Sequence, residues 1–380
     1  MSRTTKRDLP GIDRRLFMAG AAAVLGAPAV ANAANGEYMF YVGAMNTSGL
    51  VTLTYSPAYD TWTQGKVQAG VAPNASFGAY SPRFKRHYIV NEQDNGAIGV
   101  YQANGNGKMT LKGQVSSHGS NPCYISLDGT ESYLAVANYN TGDIAVYALD
   151  KTGLPVEPAT IKQNTGKGYI PDRQDGPHAH WVQFSKDQKF IYSVDLGTDQ
   201  ILGYPFNAGT GAVGDPFVAF KADPGFGPRH MILHPGGQVA YILGELSNAV
   251  ITLRPQADGT FTGVQWTSTV PADFTGHSQA AHISLNKNGD RLYISNRGHN
   301  SLCVLGMDQA GRLVLMQIIP TGGDWPRHFR VLDNSDRIVV ANQNSGNLTV
   351  FGMHLDGTLK PIDAKLNVPN AVFIGELASS

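Results

Sequence analysis

Cysteine is nearly absent from this chain: two in 380 residues, Cys123 and Cys303, too few for a disulfide framework. Charge is scarce as well. Only 15% of the residues are Asp, Glu, Lys or Arg, and the two signs cancel at 29 each. That balance argues against nucleic acid or an anionic membrane as partner. Beyond the N-terminal region no apolar run approaches the roughly 18 residues that would span a bilayer. Stretches with helical periodicity are almost missing. So are a GxSxG elbow, a phosphate-binding loop and a dinucleotide fingerprint. Gly105-Asn106-Gly107 and Gly209-Thr210-Gly211 read as outer turns instead.

The first 33 residues read as a leader. Basic residues end in Asp13-Arg14-Arg15-Leu16-Phe17-Met18, an Ala-rich apolar run follows to Ala31, and Ala31-Asn32-Ala33 offers small residues for cleavage. Paired arginines before Leu-Phe look like a twin-arginine export signal. The expectation is export by that machinery, cleavage near Ala33 and a periplasmic location. A membrane anchor is the alternative, disfavoured by the shortness of the run and by Pro28. Residues 1–33 hold five of the basic and two of the acidic residues, leaving 24 against 27 in the body of 34–380.

What is present is glycine, 44 residues of it, and repetition. A β-rich strand ending in a small or polar residue recurs at Gly43, Asn91, Asn138, Asp195, Glu245, Asn296 and Asn342, with gaps of 48, 47, 57, 50, 51 and 46 residues. A turn and an alternating strand follow each one. Gly227–Leu253 shows the unit clearly: strands at His230–Leu233, Ala240–Leu243 and Val250–Leu253, with Pro235-Gly236-Gly237 and Ser247-Asn248-Ala249 as turns. Seven such units predict an all-β chain, a seven-bladed β-propeller in one domain over 34–380. Nothing before Gly43 could serve as the innermost strand of the first blade. Pro369–Ile374 is spare, so strands from both ends of the chain are predicted to close one blade. Cys123 and Cys303 then fall on different blades, too far apart to pair, and read as buried small hydrophobes.

First-strand starts and second-strand ends meet on one face, around the central channel. The starts read Asn121-Pro122-Cys123-Tyr124, His178-Ala179-His180, Pro228-Arg229-His230, Ala280-Ala281-His282 and Pro326-Arg327-His328. Aligned this way, His180, His230, His282 and His328 share one position. The second-strand ends add Asn91, Glu92, Asn138, Asp195, Glu245, Asn296, Arg297 and Asn342. His178 stands outside the register, after a long polar loop, Tyr169–Pro177, of the kind that often carries function. Arg229, Arg297 and Arg327 favour an anionic ligand, because guanidinium forks match carboxylate and phosphate. A structural role competes at each position: a histidine can bond a neighbouring blade's carbonyl, and an arginine can pair between blades. No close-spaced pair such as HxxxH supports a metal, and His178 and His180 would point to opposite faces of a strand. No metal and no cofactor are expected.

These motifs resemble the propeller-type lactonase family, which includes bacterial 6-phosphogluconolactonases and the fungal carboxymuconate cyclase. The carriers are Arg173-Gln174, Pro177-His178-Ala179-His180, Gly227-Pro228-Arg229-His230, His234-Pro235, Gly244-Glu245-Leu246, Ser295–His299, Pro326–Phe329 and Ala341-Asn342-Gln343. The resemblance implies a metal-free catalytic group made of the His178/His180 element, Glu245, Arg229 and Arg297. His230, His282, Arg327, His328, Asn138 and Asn342 are the expected substrate-binding residues. The expected partner is a small anionic or sugar lactone, and the expected state a monomer. The expected reaction is lactone hydrolysis, with a histidine as base, arginines on the oxyanion and Glu245 orienting the histidine or serving as second acid/base. Many relatives carry glutamate where this chain has Ala280. Export also sits awkwardly with a cytoplasmic sugar-phosphate lactone and points to an unphosphorylated aldonolactone or a carboxylated lactone. The alternatives are a periplasmic binding or scaffold propeller and a lactonising cyclase.

Overall fold

The recurring strand–turn–strand units each close into one antiparallel sheet, and seven of these sheets form a ring. A computed structural model describes residues 36–47 and 49–377; the leader reading of residues 1–33 lies outside them. Among the described residues the regular structure is strand apart from one 3₁₀ turn, Asp333–Ser335. No described helix is long and apolar enough to cross a membrane.

Blade 5 shows the pattern. Pro228–Leu233 is innermost, followed outward by Ala240–Gly244, Ala249–Pro255 and Phe261–Ser268. Its two middle strands are buried, while the outermost is mostly exposed. Residues of both middle strands pack between neighbouring blades: Ile242 and Ile251 join one core cluster and Leu243 and Val250 the next. Strand alternation therefore builds the inter-blade core.

At four of the seven junctions a tyrosine on a second strand ties its blade to the next. Tyr88 Oη donates to Gly153 O at 2.6 Å, Tyr192 to Gly259 O at 2.9 Å, Tyr241 to Gly311 O at 2.8 Å and Tyr293 to Gly357 O at 3.0 Å. The four glycines sit in outer turns of the following blade with φ between 74° and 87°, where a Cβ would be strained. A buried phenol needs a partner, and the turn carbonyl supplies one worth about 1 kcal/mol.

The predicted closure is present. Tyr38–Ala44 pairs on one side with Gly49–Ser56 and on the other with Ala371–Glu376, so both ends of the chain share blade 1. Cys123 and Cys303 are buried and unpaired by any disulfide.

Candidate active site

Every inner strand begins with a β-bulge, and the bulges define the geometry of the channel mouth. In blade 5 Pro228 pairs with Gly244 and His230 with Leu243, leaving Arg229 as the extra residue. Blade 7 does the same with Arg327, blade 4 with His180 and blade 3 with Cys123. The alignment that put His180 in register with the other three histidines is therefore off by one. His180 occupies the bulge position of Arg229 and Arg327, and Trp181 takes the position of His230, His282 and His328. Spacing in the sequence carries this offset: His282 and His328 lie 14 residues before Asn296 and Asn342 at their second-strand ends, whereas His180 lies 15 before Asp195.

Two rings result. The ring at the mouth carries the bulge residues, among them Ser76, Cys123, His180, Arg229 and Arg327. One residue further along each strand lies a ring of aromatics. Phe77 and Tyr124 stack with centroids 4.0 Å apart, His230 lies 5.5 Å from His282, His282 4.1 Å from His328, His328 4.7 Å from Phe373, and Phe373 4.9 Å from Phe77. This aromatic layer floors the mouth. His230, His282 and His328, read from sequence as substrate contacts, belong to it.

Glu245 follows the second strand of blade 5 and is 3% exposed. Its Oε2 lies 3.0 Å from Arg229 Nε and 2.8 Å from Arg297 Nη2, and its Oε1 lies 2.5 Å from Arg173 Nη2. His180 Nε2 is 4.0 Å from Oε2. Burial pushes the Glu245 carboxyl up, but Arg297, Arg229, His180 and Arg173 together outweigh it and hold it well below the usual carboxylate range. Burial, reinforced by Arg297, pushes Arg229 down to about 9. Burial also lowers Arg297, whose guanidinium donates to the carbonyls of Gln279 and Ala280, both at 3.2 Å. His180 is held well below the ordinary histidine value by burial and then Arg229, so it is neutral near pH 7. His230, by burial and then Arg229, and His328, by burial and then His282, are held down in the same way, and His282 is lowered to about 3 by burial and then Arg229.

Sequence reasoning missed Arg173 as a member of this cluster. It comes from the long loop before blade 4, where no strand register predicts direction. Gln174 fixes the loop: its Oε1 accepts from the backbone N–H of Tyr169 and Ile170, both at 3.0 Å, and its Nε2 donates to Leu196 O at 2.8 Å and Asp199 Oδ1 at 2.7 Å. The available signal was the Arg173-Gln174 pair: a polar side chain suited to satisfying loop backbone, beside a cation.

His178 joins the same face differently. Its ring stacks on Tyr139 at 4.6 Å, with Nδ1 3.0 Å from Tyr139 O and Nε2 3.1 Å from Asp175 Oδ1. Its ring nitrogens are directed away from Glu245, whereas His180 meets that carboxylate. Arg327 pairs with Glu92 at 3.1 Å. Asn138 and Asn342 are fully buried and spend their amide nitrogens on structural partners: Asn138 Nδ2 donates to Ser117 O, in the connection from blade 2, and to Asp143, and Asn342 Nδ2 donates to Asn347 O and Thr349 in its own blade. They brace strand ends rather than face the mouth. Ala280 packs its side chain in an apolar inter-blade cluster while its carbonyl serves Arg297.

Charge at the mouth is unbalanced. Arg173, Arg229, Arg297 and Arg327 face Glu245 and Glu92, and the nearby histidines of the rings are neutral. Arg173 and Arg327, with 30% and 18% of their side chains exposed, are the cations that solvent reaches, whereas Arg229 and Arg297 are buried behind them. Such a pocket is built to receive an anion or a developing negative charge.

Trp325, immediately before the first strand of blade 7, lies over Arg297 with 5.5 Å between the guanidinium carbon and the ring centroid. His277 stacks near it at 6.4 Å.

A family model described as lactonase, 7-bladed beta-propeller, matches residues 39–375. The 6-phosphogluconolactonase of Bacillus subtilis (strain 168) is 32% identical over 301 residues, 77% of this chain and 84% of that protein. A solved Lactobacillus plantarum protein superposes with a TM-score of 0.83 at 31% identity, covering 90% of this chain and 100% of that one. The periplasmic gluconolactonase of Pseudomonas aeruginosa superposes with a TM-score of 0.82 at 26% identity, again covering 90% and 100%.

Proposed function

The chain belongs to the seven-bladed β-propeller lactonase family, and we propose that it hydrolyses a sugar-derived or carboxylated lactone by metal-free acid/base catalysis at the Glu245 cluster. The observation that carries this is a buried carboxylate held by three arginines, with a neutral histidine 4.0 Å away, at the mouth of a floored channel.

In this reading His180 takes a proton from the attacking water. It is uncharged at neutral pH, and Glu245 stands beside it to stabilise the imidazolium as it forms. His178, whose ring nitrogens face Tyr139 O and Asp175, shapes the rim instead. Arg229 and Arg297 are buried and committed to Glu245, so they act as fixed positive charge toward the oxyanion. Arg173 and Arg327 reach solvent and meet an anionic group of substrate or product. Glu245, held ionised by the arginines, orders the cluster rather than cycling protons.

The Bacillus subtilis relative is named for a phosphorylated lactone and the Pseudomonas aeruginosa neighbour for gluconolactone in the periplasm. With the leader-like residues 1–33, the second name supports an exported protein, here proposed to act in the periplasm as a monomer. Mass spectrometry of the secreted chain, expected to begin near Ala34, checks export.

The deciding experiment follows acid release by purified residues 34–380, with and without chelator. The panel is gluconolactone, 6-phosphogluconolactone and a carboxymethyl-butenolide. Turnover that survives chelator and disappears in Arg229→Ala is the expected result. No acid from any member overturns the proposal and leaves a binding propeller.

A further inference from the structure

In six of the seven blades the residue just before the inner strand does the same job. Its carbonyl accepts a backbone N–H from the residue just past the second strand: Asn74 from Glu92, Asn121 from Tyr139, His178 from Leu196, Gly227 from Glu245, Trp325 from Gln343 and Asn370 from Met45. In five blades that residue has positive φ: 47° at Asn74, 55° at Asn121, 57° at Gly227, 66° at Trp325 and 56° at Asn370. Four of the five are Asn or Gly, the residue types that tolerate left-handed backbone. The fifth is tryptophan, for which that conformation is strained.

The backbone of blade 7 does not ask for tryptophan. Trp325 N–H donates to Asn300 Oδ1 at 2.9 Å and its carbonyl accepts from Gln343 at 3.0 Å, bonds that any residue but proline there would make. What distinguishes it is the side chain, half-buried at the channel mouth with Arg297 over its ring. Arg297 is otherwise held by Glu245 and by the carbonyls of Gln279 and Ala280.

We infer that Trp325 is a positioning residue of the site: the strained backbone is retained because its indole holds the Arg297 guanidinium against Glu245 and keeps water from that pair. A guanidinium over an aromatic face is attracted by the ring's quadrupole, and the indole walls the pair on its exposed side. The residue trades local stability for site geometry. The inference rests on the lactonase reading for its activity readout only.

The test compares W325N, which installs what three other blades use, with W325F and wild type. W325N is expected to melt about 1–3 °C higher, because left-handed strain is relieved, while kcat/KM falls about 10- to 100-fold, mostly in kcat. W325F keeps an aromatic face and should recover most of the rate without the gain in Tm. A W325N protein that melts at or below wild type overturns the inference, since tryptophan is then ordinary packing. So does a W325N protein with unchanged kcat/KM. If wild type hydrolyses none of the panel, the lactonase reading fails separately. Calorimetry of 6-phosphogluconate binding then replaces the rate, and without detectable binding the Tm comparison decides alone.

Discussion

The two rings of the channel are built from neighbouring residues on the same strands, yet they differ in almost every physical respect. The mouth ring varies from blade to blade, with serine, cysteine, histidine and arginine at equivalent bulges. The ring below is uniformly aromatic. Its histidines are uncharged and serve as polar aromatics: Arg229 Nη1 lies 3.0 Å from His230 Nε2, and the backbone N–H of Ile374 donates to His328 Nδ1 at 3.3 Å. Histidine content alone therefore does not locate chemistry. The asymmetric ring, where repetition breaks down, carries Arg229 and Arg327 and sits against Glu245, the carboxylate that Arg229 shares with Arg173 and Arg297.

The comparison can be broken most sharply at Glu245. Glu245→Gln should lower kcat/KM at least about 10³-fold and destabilise the fold by about 3–5 kcal/mol, because three guanidinium groups lose their counter-charge. Activity assays and urea melts check both. Next comes a pair of variants across the two rings. His180→Gln should reduce kcat/KM by about 10²–10⁴, whereas His328→Phe, one ring down, should change it less than about tenfold. Equal losses would erase the distinction.

A smaller effect concerns acid. His180, His230, His282 and His328 all have folded values below the unfolded value near 6.5. Below that pH the unfolded chain binds protons that the folded chain does not, so stability falls as pH falls, by up to roughly 1.4 kcal/mol per pH unit for each histidine. For His282 the loss runs from about pH 6.5 down to about 3. Urea midpoints measured between pH 7 and 5 should fall with pH, and His282→Phe should flatten the slope.

Much of the fold was legible because a propeller repeats. Residues such as Asn91, Asn138 and Asp195 punctuate second strands at intervals near 50, and alternation marks the strands between them. Closure followed from one strand too few at the start and one too many near the end. The site was legible where strand ends carry it, and Glu245, Arg229 and Arg297 do come together. It was not legible where geometry departs from the repeat. His180 is itself a bulge residue, one position before the aromatic ring in which its motif seemed to place it, and the loop holding Arg173 has no periodicity to read. The backbone of Trp325 is also silent in sequence, since tryptophan is the last residue one would place in a left-handed turn.

The seam in blade 1 has a consequence for how the chain is made. Phe40, on the first strand, pairs with Glu376, on a strand that emerges only after every other blade. Until then the nascent ring has an open β edge, able to pair with another chain's edge. Contacts of such long sequence separation form slowly. The ribosome therefore delivers the latch last, and expression systems that slow release or shorten the C-terminal strand should yield swapped or aggregated rings before any blade itself is damaged.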